Sequence, residues 1–169
     1  MTSDIELSHR FHQIIEQHIG ILFKVARTYC FNEEDRKDLM QEMMIQVWKS
    51  LHKYDDNFAI TTWLYRVSLN VAISFYRKNA SRQNLNIPLS VELTSIQDEV
   101  SYEQQEQLNQ LEVFISELND LDKALILLYF EDKSHAEISE IMGLSVSNIG
   151  TKLGRIKEKL KKRFSQINS

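Results

Sequence analysis

Residues Ser134 to Arg163 have the sequence SHAEISEIMGLSVSNIGTKLGRIKEKLKKR, and their pattern predicts two short helices joined by a tight turn. Ser134 is a good N-cap for the first helix, because its hydroxyl can accept a hydrogen bond from a free backbone N–H of the first turn. Gly143 supplies the permissive backbone that ends this helix, and Ser145 can cap the second helix. This arrangement is typical of a helix-turn-helix.

The second helix has one apolar and one cationic face. Its apolar residues recur at steps of three and four: Val146, Ile149, Leu153, Ile156 and Leu160. The opposite face carries hydroxyl, amide and basic side chains: Ser147, Asn148, Thr151, Lys152, Arg155, Lys159 and Lys162. A rigid helix with this front fits the major groove of DNA. An amphipathic surface helix whose charged face is solvated would give the same pattern, so that alternative stays open here.

The formal net charge of −4 is unusual for a DNA-binding protein, but the charge is unevenly distributed. Residues 86–118 contain seven acidic residues and no lysine or arginine, whereas residues 151–163 contain seven cations and one acid, Glu158. Local charge is what steers a protein to DNA. The overall acidity therefore does not exclude a DNA-binding function.

The composition favours an all-α protein of the cytoplasm. One proline and four glycines among 169 residues argue for helices throughout. The longest apolar run, Ala124–Phe130, is too short to span a bilayer, and Met1–Arg10 does not resemble a signal peptide. The lone Cys30 cannot form an internal disulfide, which fits a reducing compartment. We therefore expect a cytoplasmic protein without membrane insertion.

Three potential metal ligands, His9, His12 and Glu16, lie about one helical turn apart near the start of a helix predicted over Phe11–Phe31. A zinc site takes three or four ligands in a fixed geometry, which this stretch does not supply by itself. We therefore interpret the three side chains as exposed and polar, and we expect neither a metal nor another cofactor.

Two further predicted helices each carry a face that differs from an ordinary core stripe. The helix over Glu34–Tyr54 combines acids, an amide, an isoleucine and a tryptophan on one face: Asp38, Gln41, Glu42, Ile45 and Trp48. Such a mixture is typical of a protein–protein contact, unless Ile45 and Trp48 belong to the core.

The helix over Thr62–Lys78 has a predicted core stripe of Leu64, Val67, Val71 and Phe75. Another of its faces suits stacking on bases and contact with phosphate: Trp63, Arg66, Asn70, Ser74 and Arg77.

The chain between Gln83 and Tyr102 has no sustained period and contains the only proline, Pro88, so it predicts a linker. Beyond it, Asn119 and Asp122 predict the start of a helix over Leu121–Phe130, whose apolar run must be buried. We therefore expect an N-terminal helical domain at 1–84, a linker at 85–106 and a helix-turn-helix domain at 107–169.

The order of these parts resembles bacterial RNA polymerase sigma factors of the extracytoplasmic-function (ECF) group. The tract Asp38–Trp48 resembles the helix that docks on the coiled coil of the polymerase β′ subunit. Thr62–Arg66, with Asn70 four residues on, resembles the helix that reads the minus-ten promoter element. The helix-turn-helix resembles the domain that reads the minus-thirty-five element. The resemblance covers about Phe11 to Phe164, and three motifs in this order are far more specific than any one.

This resemblance implies an all-α fold in which a region 2-like domain and a region 4-like helix-turn-helix domain are joined by a flexible acidic linker. It implies three partners: core RNA polymerase through its β′ coiled coil and β subunit, promoter DNA, and an anti-sigma factor. The implied polymerase-binding residues are Asp38, Gln41, Glu42, Ile45 and Trp48. The implied minus-ten residues are Phe58, Thr62, Trp63, Arg66, Asn70, Ser74 and Arg77. The implied minus-thirty-five residues are Ser145, Ser147, Asn148, Thr151, Lys152, Arg155 and Lys159. The loop Asp56–Thr61 is implied to hold a base flipped from the nontemplate strand.

Gly150 and Gly154 depart from the family pattern, because they lie inside the predicted recognition helix, where each costs about 1 kcal/mol relative to alanine. Many relatives carry larger polar or basic residues there, so direct base contacts at these two positions are in doubt. Close approach of the helix to phosphate, or to its partner helix, would compensate for the cost.

Two other classes of function remain as alternatives. A free-standing helix-turn-helix regulator would bind a palindrome as a dimer, but it leaves the Asp38–Trp48 face unexplained. An enzyme that uses His9, His12 and Glu16 has no paired acid–base or nucleophilic residues to support it. We therefore expect a promoter-specificity subunit with no catalysis of its own.

Overall fold

The computed structural model describes residues 3–80 and 101–167, and in these ranges the chain is helical without a β-strand. Its seven α-helices are α1 (Asp4–Tyr29), α2 (Glu33–Ser50), α3 (Ile60–Ala80), α4 (Tyr102–Glu117), α5 (Asp120–Phe130), α6 (His135–Met142) and α7 (Val146–Ile167). A short 3₁₀ helix, Leu51–Lys53, follows α2. The prediction of an all-α fold is confirmed. Most of the predicted linker lies outside the described residues, and residues 102–106 of it form the start of α4.

Local hydrogen bonds fix the helix ends where the sequence predicts caps. The Ser134 hydroxyl accepts a hydrogen bond from the backbone N–H of Glu137 at 3.1 Å, and the Glu137 carboxylate accepts one from the Ser134 N–H at 3.2 Å. Gly143 ends α6 with a φ of +70°, a conformation that favours glycine. The Ser145 hydroxyl then accepts from the Asn148 N–H at 3.1 Å, which caps α7. The predicted turn is confirmed.

Two helix starts lie earlier than the sequence predicts. Helix α1 begins at Asp4 rather than near Phe11, because the Ser3 hydroxyl accepts from the Glu6 N–H and two acids occupy the first turn. Helix α3 begins at Ile60 rather than Thr62. The predicted end of α2 at Tyr54 is replaced by the 3₁₀ turn.

Helices α1, α2 and α3 pack against one another and bury Leu22, Met43 and Leu64 completely. The predicted core stripe of α3 is partly wrong, because only Leu64 of that stripe is fully buried. Its other residues, Val67, Val71 and Phe75, are half-buried. The buried face is rotated toward Tyr65, Ser68, Leu69 and Ala72. The reason is that α3 also contacts α5 and α6.

In the C-terminal part, α5 is the central helix, and its residues Lys123 to Leu128 are buried. The prediction that the whole apolar run is buried is wrong for Tyr129 and Phe130, which are 38% and 46% exposed. Helix α5 packs on α7, and α6 packs on α7 through a seam that includes Ile138, Ile149, Leu153 and Ile156.

The N-terminal helices and the C-terminal helices dock on each other. Helix α1 contacts α4 and α5, and salt bridges join Lys24 to Glu131 at 2.6 Å and Arg27 to Glu112 at 3.5 Å. The buried Tyr29 hydroxyl donates a hydrogen bond to the Asp120 carbonyl at 2.6 Å. Burial and the nearby Asp120 raise the pKa of Tyr29 well above its usual range, so this hydroxyl remains a donor.

The Ser68 hydroxyl in α3 is fully buried and has no hydrogen-bond partner among the described residues. A buried hydroxyl without a partner costs about 1–3 kcal/mol. We expect Ser68→Ala to raise the free energy of unfolding by about 1 kcal/mol and the Tm by about 2–4 °C. Thermal unfolding followed by circular dichroism measures both.

Ser139→Ala is the matched control, because the Ser139 hydroxyl donates to the Leu144 carbonyl at 2.6 Å. This variant loses a hydrogen bond, and we expect it to unfold at a lower temperature than the wild type. A Ser68→Ala protein that is destabilised as much as Ser139→Ala would contradict the assignment of Ser68 as unsatisfied.

Candidate nucleic-acid and protein interfaces

The mixed face of α2 is exposed to solvent along its length. All five predicted residues are exposed: Asp38, Gln41, Glu42, Ile45 and Trp48. Ile45 is 52% exposed, and Trp48 is 39% exposed with one edge against the Phe11 ring of α1, 5.3 Å between centroids. This exposure excludes the alternative in which Ile45 and Trp48 belong to the core. Two carboxylates and two large apolar side chains therefore share one surface that no described residue covers.

A groove of about 760 Å³ runs between the end of α2 and the length of α3. Six of the seven predicted minus-ten residues line it: Phe58, Thr62, Trp63, Arg66, Asn70 and Ser74. Glu42 and Ile45 line the same groove, so it adjoins the exposed face of α2 without a break. The structure thus brings two separately predicted sets of residues together.

Tyr54 anchors the loop at one end of the groove. Its hydroxyl donates to the Phe58 carbonyl, and its ring lies 5.0 Å from the Trp63 ring. The Arg10 guanidinium lies 5.4 Å from the Tyr54 ring centroid and forms a 2.5 Å salt bridge with Asp56. These contacts hold the loop backbone while the Phe58 ring remains 50% exposed. An apolar ring on an anchored loop can support an unstacked base.

The groove residues that the sequence analysis missed include one aromatic and two cationic side chains: Tyr54, Lys53 and Lys78. Lys78 could have been found by spacing, because Arg66, Asn70, Ser74 and Lys78 follow one another at steps of four along α3. Lys53 ends the 3₁₀ helix after α2 and Tyr54 follows it, where the spacing of an α-helix gives no guide. The two lysines add positive charge to a groove that already contains Arg66.

Arg77 does not line the groove, although the sequence predicts it on the same face as Trp63 and Arg66. Its guanidinium Nε instead lies 2.5 Å from the Asp120 carboxylate of α5. The reason is tertiary packing, because Asp120 of α5 lies beside the end of α3 and pairs with this guanidinium. The end of α3 therefore directs Arg77 toward the C-terminal helices.

The predicted front of α7 faces solvent. Six of its seven predicted residues are exposed, and Lys152 is half-buried; the exposed ones are Ser145, Ser147, Asn148, Thr151, Arg155 and Lys159. Two hydroxyls already serve the helix itself, because Ser145 caps it and Thr151 donates to the Ser147 carbonyl at 3.1 Å. Asn148 and Arg155 are the side chains best suited to distinguish base edges. Val146 departs from the predicted apolar seam and is 49% exposed.

The two glycines of α7 are not required by packing within the protein. A Cβ at Gly150 would lie 3.8 Å from the His135 ring, an ordinary contact, and a Cβ at Gly154 would meet nothing within 4 Å. Close approach to α6 therefore does not explain them. Gly154 is exposed beside Arg155 on the polar side of α7, where the missing side chain leaves room for a partner.

The described residues contain no group of three or more His, Cys, Asp or Glu side chains that could hold a metal ion. The His12 ring donates instead to the Ser8 carbonyl at 2.7 Å. None of the described helices combines the length and the apolar character needed to cross a membrane.

Comparison with known proteins identifies both halves of the chain. Residues 14–82 match the sigma-70 region 2 family, and residues 108–160 match the sigma-70 region 4 family. The RNA polymerase sigma factor YlaC of Bacillus subtilis is 29% identical over 164 residues, which cover 92% of this chain and 90% of YlaC. The ECF RNA polymerase sigma factor SigW of the same organism is 24% identical over 168 residues, covering 93% of this chain and 90% of SigW.

The fold is also similar to that of a solved sigma factor. The sigma factor RpoE of Bartonella quintana, in complex with the anti-sigma factor NepR, superposes with a TM-score of 0.74 at 17% identity. The match covers 92% of this chain and 97% of that one. Region 2 thus corresponds to the helices that form the groove, and region 4 to the helices that carry the cationic front. The chain belongs to the RNA polymerase sigma factors of the ECF group, which direct promoter-specific transcription.

Proposed function

We propose that the three surfaces divide the work of promoter recognition. The exposed face of α2 binds core RNA polymerase, the groove along α3 captures the minus-ten element, and the front of α7 binds the minus-thirty-five element. The observation that carries this proposal is the continuity of the first two surfaces, since Glu42 and Ile45 belong to both. Polymerase bound on α2 would place the DNA strand directly over α3.

The chemistry of the groove suits a single strand better than a duplex. Phe58 and Trp63 offer aromatic surface to an unpaired base, and stacking of this kind is worth about 1–3 kcal/mol per base. Asn70 can make the paired hydrogen bonds that distinguish a base edge, while Arg66 attracts phosphate. Capture of bases as they unpair shifts the equilibrium toward the open promoter, so no separate energy source is needed. We propose that the chain itself catalyses no reaction.

We propose that the chain divides into a promoter-opening domain at 1–84 and a helix-turn-helix domain at 107–169, joined at 85–106. The RpoE sigma factor is bound by the anti-sigma factor NepR. By analogy, we propose that this chain is also held by an anti-sigma partner and acts in the cytoplasm with RNA polymerase.

The α2 face predicts a defined loss of polymerase binding. We expect the double variant Asp38→Ala with Glu42→Ala to weaken the affinity for core RNA polymerase about tenfold, because both carboxylates lie in the contact. Both side chains are exposed, so the free energy of unfolding should change by less than about 0.5 kcal/mol each. Biolayer interferometry with immobilised core enzyme measures the Kd.

The matched control removes the same charge elsewhere. Glu106 and Glu140 are exposed acids on α4 and α6, and Glu106→Ala with Glu140→Ala should leave the Kd unchanged. Equal losses in the two double variants would mean that net charge, rather than the α2 face, governs binding.

A crossed promoter experiment tests the two DNA surfaces together. We expect Asn70→Ala to impair a promoter with an intact minus-ten element, and Arg155→Ala to impair one with an intact minus-thirty-five element. Each loss should correspond to about 1–3 kcal/mol, because each side chain contacts one element only. Run-off transcription with reconstituted holoenzyme measures the effect.

The control for each variant is a promoter in which the element that the side chain is proposed to contact has been scrambled. This is the minus-ten element for Asn70→Ala and the minus-thirty-five element for Arg155→Ala. There Asn70→Ala and Arg155→Ala should cost little further activity, since the contact is already lost. If Arg155→Ala lowered transcription equally from promoters with intact and scrambled minus-thirty-five elements, the assignment of α7 would be wrong.

A further inference from the structure

Lys123 of α5 is completely buried where the N-terminal and C-terminal helices meet. Its ammonium Nζ lies 4.8 Å from the centroid of the Tyr76 ring and 5.5 Å from that of the Phe31 ring, both in the N-terminal half. Its hydrogen bond goes to the Ser116 carbonyl at 3.2 Å. Among the described residues, no carboxylate forms a salt bridge with it.

An ammonium in such a place weakens the contact that buries it. Two aromatic faces and one carbonyl compensate only part of the hydration that the charge loses. Burial accordingly lowers the pKa of Lys123 to about 8, and the Cys30 thiol offsets part of this shift. Apolar residues of similar volume often stabilise a buried position relative to charged ones. Lys123 would recover its hydration if the two halves separated.

The docked arrangement engages charged side chains at the contact between the two halves and brings the proposed DNA-binding helices close together. Arg77 is paired with Asp120 across the contact, and Lys133 lies over the Tyr65 ring of α3 at 5.5 Å. Helix α3 contacts α6, and α6 contacts α7. Because packed helix axes lie about 8–10 Å apart, α3 and α7 approach each other to within about 20 Å.

A promoter requires a much larger separation. The minus-ten and minus-thirty-five elements lie about 25 base pairs apart, or about 85 Å at 3.4 Å per base pair. The docked form is too small to contact both elements of straight DNA. Residues 81–100 are twenty residues of chain, enough to span about 70 Å when extended. The chain is therefore long enough for the two halves to separate.

We propose that the buried Lys123 ammonium destabilises the docked arrangement and so keeps the docking of the two halves reversible. Core polymerase can then separate the halves and release Arg77 from its salt bridge with Asp120. This inference rests on the proposed function for its polymerase step, whereas the docking equilibrium can be measured in the free protein. The salt bridge between Arg77 and Asp120 favours the docked form, and the unpaired ammonium opposes it.

The test uses the full chain with Lys123→Met, Asp120→Lys and the two combined. Asp120→Lys places a second cation beside Arg77, and we expect a larger radius of gyration by small-angle X-ray scattering. Adding Lys123→Met should return the radius toward the wild-type value, because an apolar side chain strengthens the docked contact. Lys123→Met alone should bind core polymerase about tenfold more weakly, since opening becomes harder.

Lys161→Met is the matched control, because Lys161 is an exposed lysine of α7 outside the proposed interfaces. It should change neither the radius nor the Kd for core. The proposal is overturned if Lys123→Met fails to compact the Asp120→Lys protein, if Asp120→Lys stays compact, or if Lys123→Met binds core as tightly as the wild type. Unfolding of Lys123→Met would also overturn it, because the ammonium would then stabilise the fold.

Core-polymerase binding and solution scattering distinguish a failure of the proposed function from a failure of the proposal for Lys123. A wild-type chain that does not bind core polymerase would defeat the proposed function, while the scattering result on the variants would still decide whether Lys123 weakens the docking.

Discussion

The burial of α3 on two sides is the constraint on which the rest of the structure depends. One side of α3 packs on α1 and α2, and another packs on α5 and α6. Only a narrow strip of α3 stays exposed and available to bind a partner. Polar or cationic residues at steps of four occupy this strip: Arg66, Asn70, Ser74 and Lys78. The same two-sided packing fixes the groove beside α2 and docks the halves of the chain on each other.

In the proposed function, this arrangement couples polymerase binding on α2 to DNA binding along α3. The α2 face and the α3 groove are continuous, so a partner bound at one surface lies beside the other. Helix α7 need not bind tightly by itself, because polymerase and the N-terminal half hold the complex together. That lower demand makes the helical cost of Gly150 and Gly154 easier to tolerate.

Structural features that depend on neighbouring residues in the sequence, such as helix caps and exposed helix faces, could be predicted from the sequence. The caps at Ser134 and Gly143 and the exposed strips of α2 and α7 follow from spacing and side-chain type, and the structure has them. Features that depend on the packing of distant helices could not be predicted, because no local sequence pattern shows which helices contact each other. Arg77 pairs with Asp120 forty-three residues away, and Phe130 is exposed although it ends an apolar run. Tyr54 was missed for the same reason, since its role depends on a loop folding back over it.

We propose that the docked domains separate so that the protein can contact both promoter elements at once. Spin labels at Gln13 on α1 and Lys161 on α7, both exposed and outside the proposed interfaces, report the separation by double electron–electron resonance. In the free protein we predict a distance below about 45 Å, the span of a compact chain of this length. In the complex with core polymerase and promoter DNA, the distance should increase by tens of ångströms, as the separation of about 25 base pairs requires. An unchanged short distance in a complex that initiates transcription would show that the domains remain docked.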